Sequence, residues 1–179
     1  MVESGKDIER LLTQCLRPEG FRKKGKYWYL DTPEVVVFVN LQRSQWSETY
    51  YLNLGVLVKS IRNEPWPIRD RTRPKAGVCH YTIRVEDLFT EEPVPPTKVS
   101  PERMKVHELL DFHSPVCDAE EREHELRRIF EERMLPFLRL CKTEAGIRRA
   151  IMEVLRDSYG TSGVLREHFN IPLVIGGEA

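Results

Sequence analysis

The order of the apolar patterns predicts an α+β domain, an antiparallel β-sheet of about four strands with helices packed on one face. Three observations carry this. Helical stripes at both ends of the 179-residue chain enclose a run of segments rich in aromatic and β-branched residues, and helices segregated from consecutive strands define the α+β class. The first three strands follow one another with no helix between them, which argues against a doubly wound α/β sheet. A chain of this length can bury one core without disulfide staples. Residues 1–179 are therefore read as a single domain, with 59–77 and 90–101 as exposed loops and 161–179 as a tail.

The first element is a helix. Ile8, Leu11, Leu12, Cys15 and Leu16 recur at helical spacing, Ser4 stands at the N-cap position, and Pro18 with Gly20 supplies the stop. Tyr27–Leu30, Val35–Gln42 and Tyr50–Val58 then read as strands, separated by turn-prone pieces containing Gly25 and Pro33. Residues 59–77 hold three prolines and six basic residues against two acidic ones, with no periodicity, and read as a loop. Residues 78–85 alternate again as a strand, and the proline-rich stretch after Phe89 reads as an extended connector. Asp118 and Glu121 make an acidic variant of the capping box before the stripe Leu126, Phe130, Met134, Phe137, Leu138 and Cys141, which Pro136 should divide. A last helix is expected from Thr143 to Tyr159, carrying Ile147, Ala150, Ile151, Val154 and Leu155, and residues 164–175 fit a short helix or an extended segment equally.

Lys and Arg total 28, as do Asp and Glu, so the net charge is zero. That excludes a uniformly basic nucleic-acid binder, yet the zero is a sum of unequal parts. Residues 1–85 hold 15 basic and 9 acidic residues, 86–132 hold 6 and 14, and 133–179 hold 7 and 5. A basic strand-and-loop half thus adjoins an acidic middle, an asymmetry able to steer a partner. No apolar run approaches the roughly 20 residues of a membrane span and the N-terminus lacks a signal-peptide core, so a cytoplasmic protein is expected. Cys15, Cys79, Cys117 and Cys141 form no C-x-x-C pair. His107, Asp111, His113, Cys117 and His124 match no zinc spacing, and neither a P-loop nor a dinucleotide fingerprint is present. No metal and no cofactor is expected.

Alternation along the strands sorts their side chains by face. Val35, Val37, Val39 and Leu41 share one face with Leu52, Leu54, Val56 and Val58 if Gln42 pairs with Tyr51 and Asn40 with Asn53; a one-residue slip would mix apolar and polar sets. The opposite face then gathers Asn40, Gln42, Tyr51, Asn53, His80, Thr82 and Arg84 over a floor of Val36, Phe38 and Leu57, with Ser44 and Trp46 in the adjoining loop. Convergent polar groups over an apolar floor are what ligand and partner surfaces offer, although an ordinary half-solvated face alternates in the same way. A second cluster, Arg62, Trp66, Arg69, Arg71 and Arg73, lies in the 59–77 loop.

The stretches G-F-R-K-K-G-K-Y-W-Y-L, V-N-L-Q-R-S-Q-W, Y-Y-L-N-L-G-V, C-H-Y-T-I-R and M-L-P-F-L resemble the family catalogued as domain of unknown function 4304 over most of residues 6–142. The family pattern falls on Phe21, Lys23, Lys24, Gly25, Trp28, Asn40, Gln42, Ser44, Asn53, Gly55, His80 and Arg84. The resemblance brings no reaction, cofactor or catalytic residue with it.

The favoured expectation is a non-enzymatic cytoplasmic binding protein that uses the open polar face to hold a protein or peptide partner, of the immunity or accessory type by analogy of size and class alone. Arg84 and His80 would supply charge-assisted contacts, Asn40, Gln42 and Asn53 directional hydrogen bonds, and Trp46 with Phe38 apolar anchorage. Two alternatives stand beside it: a hydrolase or nuclease using His80 with Ser44 or Arg84, and nucleic-acid contact through the 59–77 loop, in which Trp66 would stack on a base. No catalytic residue is assigned.

Overall fold

The computed structural model describes residues 1–62, 68–89, 101–113, 117–154 and 161–171. Trp66, the connector up to residue 100, the expected helix end at 155–160 and the end of the tail, 172–179, lie outside the described residues.

Five strands, β1 (Arg22–Lys24), β2 (Tyr27–Asp31), β3 (Val35–Arg43), β4 (Tyr50–Val58) and β5 (Tyr81–Arg84), form one antiparallel sheet in chain order. The expected α+β class holds, with one strand more than the apolar pattern showed. β1 is Arg-Lys-Lys, exposed throughout, so it carries no alternation to read; its pairing with β2 alone defines it. β3 and β4 pair from Val35↔Val58 to Arg43↔Tyr50, and Asn40 meets Asn53 as the apolar phase requires.

The helices are α1 (Gly5–Leu16), α2 (Pro101–Leu109), α3 (Ala119–Ile129), α4 (Leu135–Leu140), α5 (Glu144–Arg149) and α6 (Gly163–Phe169). The α1 stripe is buried as expected. Ser4 begins that helix, but its hydroxyl donates to Asp7 Oδ2 instead of accepting a cap bond. Asp118 Oδ1 does cap α3, accepting the N–H groups of Glu120 and Glu121 at 2.9 Å each. Pro136 divides the long helix through a wide turn over Phe130–Met134, where the Leu135 N–H bonds to Phe130 O. A proline cannot continue the ordinary ladder, and an extra residue per turn accommodates its ring. Ser162 Oγ caps α6 and Asn170 ends it in the left-handed conformation, so the ambiguous tail segment is helical to Phe169.

One main core joins α1, α3, α4 and α5 to the sheet face that carries Trp28, Val37, Val39, Leu41, Leu54, Val56 and Ile83. The opposite face is not open. Val36, Phe38 and Leu57 are each fully buried, outside that main core. Tyr27 and Tyr29 tilt against the Phe38 ring, and segment 68–80 is bonded to the same part of the molecule, Ala76 to the Tyr27 hydroxyl and Arg71 to the carbonyls of Val58 and Ile61. Fully burying such side chains stabilises by about 1.5–3 kcal/mol each, which favours a fold in which this face is closed.

Gly55 stands opposite Phe38, and a Cβ there would overlap the Phe38 ring. Gly55→Ala is therefore expected to lower stability by about 1–3 kcal/mol, the usual cost of overpacking. Phe38→Leu added to it should recover part of the loss, measured by urea unfolding of both variants.

Candidate functional site

The residues expected on the polar face share it in the predicted phase, but burial splits them into two groups. Asn40 and Asn53 are buried, and their amides bond inward. Asn53 Nδ2 donates to Asn40 Oδ1 at 3.1 Å and to Gln42 Oε1 at 3.2 Å, and Asn40 Nδ2 donates to Lys26 O at 3.1 Å. These donors tie β3 to β4 and to the turn after β1, so they do not offer the directional contacts to a partner that alternation suggested.

His80 departs further from expectation. It is fully buried, because the chain leaves strand geometry before Tyr81 and the imidazole completes the ladder in place of the main chain. The His80 N–H donates to Val56 O at 3.0 Å, while Nδ1 accepts the Val58 N–H at 2.9 Å. An enclosed imidazole held in this way presents neither a charge to a partner nor a base to a substrate. The Phe38 ring is likewise covered and cannot anchor anything.

The exposed remainder lies at the β3–β4 hairpin end. Gln42 and Arg84 are exposed and Ser44 and Tyr51 half-buried. The Arg84 guanidinium sits 4.4 Å from the Tyr51 ring centre, and the His107 ring lies 6.2 Å from the same ring at an interplanar angle of 28°. A cation over an aromatic face is attractive and fixes the geometry of both groups. His107 is a member that strand alternation could not find, since it comes from α2; the Tyr50 N–H bond to Leu110 O brings that region against β4.

Trp46 crowns the hairpin with 93% of its surface exposed. The loop beneath it is internally bonded: Ser44 N–H donates to Thr49 O at 2.8 Å, Ser44 Oγ accepts the Trp46 N–H at 3.1 Å, Ser47 Oγ meets Thr49 Oγ1 at 2.8 Å, and Arg43 pairs with Glu48 at 3.2 Å. The indole is thus held out by an ordered turn.

Of the second cluster, Arg62 and Arg69 are exposed and Arg71 is turned inward onto carbonyls. Sequence reasoning also passed over Glu86, which follows β5 and is buried with Oε2 lacking a hydrogen-bond partner among the described residues. Burial raises its carboxyl above the ordinary carboxylate range, against the opposing fields of Arg84 and His107.

A Ser–Glu–His cluster does exist elsewhere. Ser60 Oγ donates to Glu144 Oε1 at 2.6 Å, and His168 Nε2 lies 2.9 Å from Glu144 Oε2 and 3.4 Å from Ser60 Oγ. One ring nitrogen meets both partners, whereas a hydrolytic triad uses the two nitrogens separately. The cluster instead joins α5 and α6 to the end of β4.

With this geometry in place, the comparison with known proteins is short. The profile of the family DUF4304, a domain of unknown function, matches residues 12–140, and the chain belongs to that family. No curated protein and no solved structure gives a significant match. No helix among the described residues is long and apolar enough to cross a membrane.

Two measurements check these assignments. His80→Leu leaves the Val58 N–H without its acceptor and should cost about 1–3 kcal/mol in urea unfolding. For Glu86 the folded carboxyl binds its proton more tightly than the unfolded one, so stability falls as pH rises from the unfolded value through the folded one. Glu86→Gln should therefore flatten the pH dependence of Tm and raise Tm at neutral pH relative to wild type.

Proposed function

We propose that the protein is a non-catalytic binding protein that holds a protein or peptide partner at the hairpin end of its sheet, and that it works in the cytoplasm. The observation that carries this reading is Trp46, an indole 93% exposed on an internally bonded turn. A large aromatic side chain in water is unfavourable on its own account, and tryptophan is among the residues that dominate binding energy when they fill a partner's pocket. A preordered turn reduces the entropy lost on binding. Arg84 and Gln42 flank the anchor with polar groups, so the partner surface that fits best has an apolar pocket bordered by acceptors, carboxylates among them. The cytoplasmic assignment is supported by four free cysteines with no disulfide between them.

Affinity purification of the tagged protein, with quantitative mass spectrometry, tests the reading. Trp46→Ala should reduce the captured partner roughly 30-fold or more, the effect of removing a residue that contributes about 2 kcal/mol or more. Arg84→Ala should reduce it less, and Arg62→Ala not at all. Tm should not change in Trp46→Ala. Equal capture by wild type and Trp46→Ala would refute the placement.

A further inference from the structure

A second surface is independent of the hairpin. At the β1 edge of the sheet lies a groove of about 640 Å³, whose lining includes Arg22, Lys24, Tyr29, Asp31, Thr72 and Arg73. The register explains its character. Arg22 pairs with Tyr29 and Lys24 with Tyr27, so two cations share one face with two tyrosine rings stacked 5.5 Å apart and 7° from parallel. Lys23, on the alternate face, is occupied by Glu9 and lies over Trp28.

The carboxylates in and near the groove are already engaged. Asp31 pairs with Lys59, Glu9 with Lys23 and Lys26, and Glu19 with Arg139 and Lys142. Asp70 accepts the Thr72 hydroxyl and N–H and shares its field with Arg73. Arg22 and Lys24 have no carboxylate partner among the described residues and are exposed, as is Arg73. Cations on an edge strand also deter strand-to-strand association, but that accounts for β1 alone and not for Arg73 facing it from another segment.

We infer that this groove binds a single-stranded nucleic acid, with Arg22, Lys24 and Arg73 on backbone phosphates and the Tyr29 ring, on the same face, as the wall for a base. Residues two apart on a strand present charges roughly 6.5–7 Å apart along a line, which suits a linear polyanion better than a single compact phosphate. Guanidinium forks match phosphate oxygens, and an aromatic wall beside them is the arrangement that holds unpaired bases. An acidic peptide would add to the sheet by main-chain pairing, and a three-residue edge offers little of that.

Fluorescence anisotropy with a short labelled oligothymidylate tests the assignment. Saturable binding at low salt is expected, with log Kd depending on log salt with a slope near 2, since each phosphate contact on a single strand contributes about 0.7. The triple variant Arg22→Ala, Lys24→Ala, Arg73→Ala should weaken binding roughly tenfold or more and abolish most of that slope; Arg73→Ala alone should lose part of both. Trp46→Ala should bind the oligonucleotide as wild type does, which separates this site from the hairpin reading. Absence of saturable binding, equal binding by the triple variant, or equally tight binding of a polyglutamate peptide would each overturn the inference.

Discussion

The pairing of β3 with β4 is the constraint from which the remaining arrangement follows. Nine consecutive cross-strand pairs hold Val35–Arg43 against Tyr50–Val58, and because side chains alternate, a one-residue slip would take either Val35, Val37, Val39 and Leu41 or Leu52, Leu54, Val56 and Val58 away from the helix side. With that register set, Asn40 must meet Asn53 on the other side, where two buried amides would be costly if left unpaired. Their mutual bond, extended to Gln42 and Lys26 O, satisfies them. β2 and β5 then add on either flank in the same phase.

The same register leaves Val36, Phe38 and Leu57 on the side away from the helices, and an apolar floor of this kind has to be covered. Tyr27 and Tyr29 lie against Phe38 there, and segment 68–80 is bonded beside them. Arg71 occupies the carbonyls at the end of β4, His80 takes the Val58 N–H, and Gly55 leaves room for the Phe38 ring. With that face closed, the two candidate surfaces lie at its margins: the hairpin with Trp46, Tyr51 and Arg84 at one, and the β1 groove with Arg22, Lys24 and Arg73 at another. The zero net charge fits this division, since the basic first half of the chain supplies the exposed cations of the groove.

Much of the fold was legible because it depends on period. The α1 stripe, the phase of β2 to β4 and the pairing of Asn40 with Asn53 follow from alternation and from the cost of a slipped register. β1 and α2 were not legible, the first because three exposed cations have no apolar phase, the second because Val106 and Leu109 make too short a stripe. For the site, phase assigns a face but says nothing about cover. Phe38, Asn40 and Asn53 share the predicted face and are enclosed all the same, and His80 is drawn into the ladder at the end of β4; the segment before β5 is irregular and carries no periodic signal. Trp46 could be placed in a loop but its exposure could not, and His107 joins Tyr51 through a tertiary contact between α2 and β4.

The central claim is that the face carrying Phe38 is closed while Trp46 stands exposed. Hydroxyl-radical footprinting of the free protein, read by mass spectrometry, measures both halves at once. The account predicts rapid oxidation of Trp46 with Phe38 protected to the level of the core residue Phe130. Oxidation of Phe38 at a rate comparable to that of Trp46 would contradict it.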